Sequence, residues 1–127
     1  MMLSESLRRG LIAVIVVVTL SACAKPAPLY VYGDYSESYY RQAKTDNEEN
    51  RLKLTESMEK AIEKADKSRS GRVPPGMYAN LGYMYLKAGN AQKALSNFER
   101  EKAVYPEATH FMERMIAKVK LAEGAKK

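Results

Sequence analysis

The chain has 127 residues, with 21 Lys and Arg against 15 Asp and Glu and a formal net charge of +6. That length holds one small domain. A single cysteine, Cys23, excludes an intrachain disulfide framework and any zinc site built on cysteines. The basic excess is moderate and interleaved with acidic residues, unlike a nucleic-acid module, which gathers its cations on one face beside stacking aromatics. Tryptophan is absent and tyrosine occurs nine times. The core must therefore come from Leu, Met, Ala, Ile and Tyr, which suits a small helical domain, and a core of this size is marginal by itself.

In chain order, the first segment reads as an address. Arg8 and Arg9 give a positive start, and Leu11 to Leu20 is an apolar run of about ten residues. A spanning helix needs roughly 20 apolar residues, so this run fits a secretory signal better. Leu20, Ser21, Ala22 and Cys23 then follow the bacterial lipobox order of apolar, small, small, cysteine. The expectation is cleavage after residues 1–22, with diacylglycerol and palmitate attached to Cys23. An uncleaved anchor carrying a free thiol is the alternative. Two or three acyl chains hold a protein stably on a bilayer where one does not. Ala24, where an aspartate would favour retention in the inner membrane, points to the periplasmic face of the outer membrane of a Gram-negative bacterium. Losing residues 1–22 removes Glu5, Arg8 and Arg9 and leaves 19 basic and 14 acidic side chains, net +5.

Residues 23–29 are expected to be the lipidated cysteine and a short stalk, held extended by Pro26 and Pro28. A helical domain is expected over 30–122. It opens with five tyrosines: Tyr30, Tyr32, Tyr35, Tyr39 and Tyr40. Tyr35, Tyr39 and Gln42 share a helical face, which predicts a first helix from about Asp34 to Lys44. A second, from about Asn47 to Arg69, has Leu54, Met58, Ala61, Ile62 and Ala65 as its stripe, with a charged face outside. Ser70 to Gly76 breaks it. A third runs from Pro74 to about Ala88 with Tyr78, Leu81, Tyr85 and Leu86 on one side, stopped by Gly89-Asn90. A fourth, about Ala91 to Val104, carries Ala94, Leu95, Phe98, Lys102 and Ala103. A fifth starts at Pro106 and runs to about Ala122, with Ala108, Phe111, Met112, Met115, Ile116 and Val119 as its stripe. Residues 123–127 are a basic tail. No alternating strand pattern occurs in the mature chain.

The third and fourth helices match the signature of the tetratricopeptide repeat. Tyr78, Leu81, Gly82, Tyr85, Ala94, Phe98 and Pro106 fall on its offsets, and only Glu101 departs, standing where a second Ala is usual. The fold expected is all-α, a small tetratricopeptide-like stack of about two and a half hairpins. The chain also resembles a family of Gram-negative lipoproteins of unknown function. The residues carrying that resemblance are Leu29 to Tyr35, Val73-Pro-Pro-Gly76, Leu81-Gly82, Phe98-Glu-Arg-Glu-Lys102 and Tyr105-Pro-Glu107, over roughly residues 20–118. The resemblance implies neighbouring lipoproteins as partners, one of them similar to the curli secretion channel subunit, and implies no chemistry.

His110 is the only histidine, so neither a zinc site nor a Cys–His nucleophile can be assembled, and no phosphate-binding loop appears. No enzyme activity, metal, small-molecule substrate or cofactor is expected beyond the covalent lipid on Cys23. Two segments are candidates for partner contact. The tyrosines from Tyr30 to Tyr40 either cover the first groove of the stack or form an exposed aromatic surface. Around Glu101 and Lys102, the charges are either a solvated face or a polar contact to a partner or a neighbouring helix. The function expected is a membrane-anchored adaptor for protein–protein interaction in the cell envelope, in assembly or secretion with other lipoproteins. The alternative is a structural lipoprotein that binds peptidoglycan or the membrane surface.

Overall fold

The computed structural model describes residues 4–21 and 25–126. Ala22 and Cys23 of the expected lipobox lie outside the described residues, and of Leu20 and Ser21 only the backbone is described. Helix α1 (Glu5–Ser21) takes in the apolar run. Among the described residues no helix is long and apolar enough to cross a membrane. Five more helices follow: α2 (Tyr35–Lys44), α3 (Glu48–Glu63), α4 (Met77–Lys87), α5 (Ala91–Val104) and α6 (Thr109–Gly124). Short 3-10 turns occupy Ala65–Lys67 and Pro106–Ala108. The class is all-α, and no strand occurs among the described residues.

Side-chain caps set several boundaries. Asn47 Oδ1 accepts from Asn50 N at 2.8 Å and Asn90 Oδ1 from Lys93 N at 3.0 Å, each satisfying a free N–H at a helix start. Gly89, at φ +78°, closes α4 in the left-handed conformation that favours glycine. The helix expected to reach Arg69 stops at Glu63. Beyond it the Ser68 hydroxyl donates to Ala65 O and accepts from Gly71 N, a local exchange that replaces helical bonding. The third helix begins at Met77 rather than Pro74, because a proline disfavours helical backbone in the residue before it, here Val73 and Pro74. The last helix follows a 3-10 turn and continues to Gly124, past the expected end at Ala122.

Each helix from α2 to α6 packs chiefly on its neighbours in sequence. The short links at Thr45–Asn47 and Ala88–Asn90 make those neighbours antiparallel. One end of the stack thus gathers the starts of α2, α4 and α6 with the ends of α3 and α5. There Arg72 Nη2 donates to Val104 O at 2.7 Å and the Tyr105 hydroxyl to Val73 O at 2.6 Å. At the opposite end, Lys87 lies 4.0 Å from Asp46.

Two apolar clusters hold the layers together. Leu54, Met58, Ala61, Ala65, Val73, Met77 and Leu81 form the first, and Ala94, Phe98, Met112, Ile116 and Val119 the second. Tyr85 packs against both. The α4–α5 hairpin closes tightly at Gly82, where a Cβ would stand 2.7 Å from Phe98 Cε1. Two expected core positions are corrected. Phe111 is 57% exposed, since α6 turns Met112, Ile116 and Val119 inward instead. Ala103 is exposed while Glu101, two residues earlier, is 3% exposed.

The segment before α2 is a strap on this body. Arg69 N donates to Pro28 O at 2.9 Å and Ser70 N to Leu29 O at 3.2 Å. Pro28 and Leu29, expected to belong to the stalk, are therefore part of the folded unit.

Candidate partner-binding groove

Helix α4 has two working faces. Tyr78, Leu81, Gly82 and Tyr85 turn towards α3 and α5, whereas Asn80, Tyr83, Met84 and Lys87 recur at i, i+3, i+4 and i+7 on the opposite side. That second face is the floor between α2 and α6. On the α2 side, Tyr35, Tyr39, Gln42, Met58, Asn80 and Tyr83 help to line a cavity of about 290 Å³. On the α6 side, Asn80 and Tyr83 are shared with a cavity of about 210 Å³ completed by Phe98, Phe111, Met112 and Met115. Sharing Asn80 and Tyr83, the two cavities adjoin across α4 and are described together as a groove between α2 and α6. Tyr39, Tyr83 and Phe111 are large apolar side chains left exposed along it.

Polar groups sit at defined points. Asn80 Nδ2 donates to the Tyr35 hydroxyl at 3.0 Å, and its carbonyl oxygen has no partner among the described residues. Burial raises the Tyr35 pKa above its ordinary value, and the bond from Asn80 opposes that. Gln42 Nε2 donates to Asp46 at 2.7 Å, and since a carboxylate only accepts, the amide orientation is fixed. The bond from Gln42 holds Asp46 below the ordinary carboxylate range, helped by Lys87 and Arg51. Gln42 Oε1 is then buried without a partner among the described residues. A groove built this way can take apolar or aromatic side chains and offer amide oxygens to N–H donors. Among the described residues no group of three His, Cys, Asp or Glu is placed to hold a metal ion.

The tyrosines expected as partner contacts divide between two roles. Tyr30 and Tyr35 are half-buried, while Tyr32, Tyr39 and Tyr40 are exposed. Tyr30, Tyr32, Tyr35 and Tyr39 follow one another with ring centroids 6.4, 6.3 and 5.9 Å apart. This run leads from the strap into the groove. At its strap end, burial and the Tyr30 phenol push the Tyr105 pKa up to about 12.

Glu101 and Lys102 are turned to neighbouring helices. The Glu101 carboxylate accepts from Gly76 N at 2.7 Å and Ala79 N at 3.3 Å, at the start of α4. Lys102 bridges Glu99 at 3.3 Å and Glu113 at 3.7 Å, linking α5 to α6. Of the signature positions, Leu81, Gly82, Ala94 and Phe98 are buried, Tyr78 and Tyr85 half-buried, and Pro106 exposed. Tyr85 donates to Glu59 across the first layer; burial, then that carboxylate, pushes its pKa up to about 12.

A family model described as a domain of unknown function, DUF4810, matches residues 29–115. The chain belongs to this family. The DUF4810 match runs from the strap residue Leu29 to Met115 in the groove, and so contains every described groove residue and Glu101, while Cys23 lies before it. No curated protein matches the chain, and neither does any solved structure.

Asn80 and Tyr83 belong to no expected site, and Phe111 lines the groove rather than the expected core. A signal for the first two was present. Asn80, Tyr83, Met84 and Lys87 carry the spacing of a buried stripe but mix an amide and a cation with the apolar groups.

Proposed function

We propose that this protein is a lipid-anchored, non-enzymatic adaptor that holds a segment of another envelope protein in the groove across α2, α4 and α6. The observation that carries the reading is the groove itself. It is lined by Tyr39, Tyr83 and Phe111, exposed aromatic side chains of the kind that dominate binding energy at interfaces. The helical-hairpin packing around Gly82, Ala94 and Phe98 supports a tetratricopeptide-like unit, an architecture that presents such surfaces. Acylation of Cys23 places the groove at the periplasmic face of the outer membrane, and the partners in this reading are other lipoproteins, including one similar to the curli secretion channel subunit.

Photo-crosslinking tests it. A photoreactive phenylalanine at Tyr83 or Phe111 should give a discrete crosslinked product in native envelopes, and the same residue at exposed Gln92 should give none. Free monomer at all three positions would overturn the adaptor reading, whereas retention on isolated sacculi would favour peptidoglycan binding. The anchor is tested separately with labelled palmitate, whose incorporation should vanish in Cys23→Ala.

A further inference from the structure

The strap fixes which end of the helical stack lies nearest the anchor. Pro28 is five residues after Cys23, and five residues of fully extended chain reach at most about 18 Å. Pro28 O and Leu29 O are bonded to the backbone N–H groups of Arg69 and Ser70. The Ser68–Arg72 turn is therefore within one short tether of whatever holds Cys23. That turn is firmly built. Ser68 Oγ accepts from Gly71 N, Ser70 Oγ accepts from Arg72 N at 3.1 Å, and Gly71 sits at φ +64°.

Charge is concentrated at the same place. Between positions 64 and 72 the chain carries Lys64, Lys67, Arg69 and Arg72 against the single carboxylate of Asp66, and all five side chains are exposed. Arg72 is held at this end by its bond to Val104 O and by the Tyr105 ring, 4.6 Å from its guanidinium carbon. Lys25 lies exposed in the strap itself.

We infer that the Lys64–Arg72 turn is a membrane-docking surface that binds anionic phospholipid headgroups and stands the helical stack on its strap end. The inference rests on the anchoring of Cys23 proposed above. Clustered cations beside a lipid anchor add electrostatic attraction that acts within a Debye length, about 8 Å at physiological salt. The tether, at most about 18 Å long, lets the turn come within that range and excludes any distant placement. Docked this way, the groove across α2, α4 and α6 faces sideways along the membrane, open to partners anchored in the same leaflet.

Lysine acetylation footprinting by mass spectrometry tests this on the full lipidated chain in vesicles. Phosphatidylcholine vesicles are compared with vesicles that also contain phosphatidylglycerol. In the anionic vesicles, Lys64 and Lys67 should be modified severalfold more slowly, with the difference removed by high salt and reduced by Arg69→Glu. Lys44 and Lys87, at the opposite end, should react equally in both. Equal rates at Lys64 and Lys67 in the two membranes, or slowing at Lys44 and Lys87 instead, would overturn the inference. The intact mass of the same preparation reports acylation of Cys23 independently. Should the mass show no lipid, the anchor reading fails, and the same footprint on chain coupled through its Cys23 thiol to a maleimide lipid still decides the docking surface.

Discussion

The Glu101 carboxylate lies 2.7 Å from the backbone nitrogen of Gly76, a residue 25 positions earlier in the chain. Gly76, at the N-cap of α4, has no side chain to accept from the first free N–H groups, and a buried carboxylate from α5 does so instead. The same position explains why alanine, the residue usual at this point of the repeat, would serve poorly here. Glu101→Ala should lower stability by about 2 kcal/mol, because it strands the Gly76 and Ala79 donors, and Glu101→Gln by less, because one acceptor oxygen remains. Thermal unfolding followed by circular dichroism measures this, and an alanine variant that melts with the parent protein would refute the role.

Gly82 is required by a neighbour rather than by its backbone. Its absent Cβ would meet the Phe98 ring at 2.7 and 2.8 Å and Ala94 O at 3.1 Å, and Phe98 is fully buried. Gly82→Ala should cost about 2 kcal/mol through overpacking, although alanine is the better helix former. Adding Phe98→Leu should restore part of the loss. A single variant with a higher melting temperature than the parent would show that the hairpin has slack.

Two phenols, the buried Tyr105 and the half-buried Tyr85, set an alkaline limit. The pKa values of Tyr85 and Tyr105 are both pushed up to about 12, from an unfolded value near 10. Between those values the unfolded chain has lost protons that the folded chain keeps, so stability is full below about pH 10 and falls as pH rises towards 12. Melting temperatures from pH 8 to 11 should show the decline, and it should flatten in Tyr85→Phe. Absorbance of phenolate should rise in two phases, the late one belonging to these two residues.

Groove variants should separate binding from folding. Tyr83 and Phe111 are 49% and 57% exposed, so Tyr83→Ala and Phe111→Ala should change stability by no more than about 0.5 kcal/mol. Partner capture through the groove should be lost all the same. Normal melting with unchanged capture would place the partner elsewhere on the surface.

Most of the helical organisation was readable in the sequence. The stripe Leu54, Met58, Ala61 and Ala65 is buried as its spacing requires, and α5 begins and ends at the residues expected, between Asn90 and Tyr105. The errors have local causes. Phe111 and Met112 are adjacent large apolar residues at the edge of a broad stripe, and spacing alone could not say which one the stack would cover. For Glu101 the contact to a neighbouring helix is the expected alternative that the structure shows, but its partners, 22 and 25 residues earlier, were not legible in the sequence.

The amino-acid pattern by itself determined an all-α chain, because apolar periodicity and caps are local properties. Tertiary structure decided which faces were left over. Only when the successive hairpins stack do Tyr39, Tyr83 and Phe111 come to line two adjoining cavities. The approach of the strap to Arg69 likewise became visible only once residues 28–29 and 69–70 were brought together. Such surfaces depend on contacts between distant segments, and no local rule in the sequence encodes them.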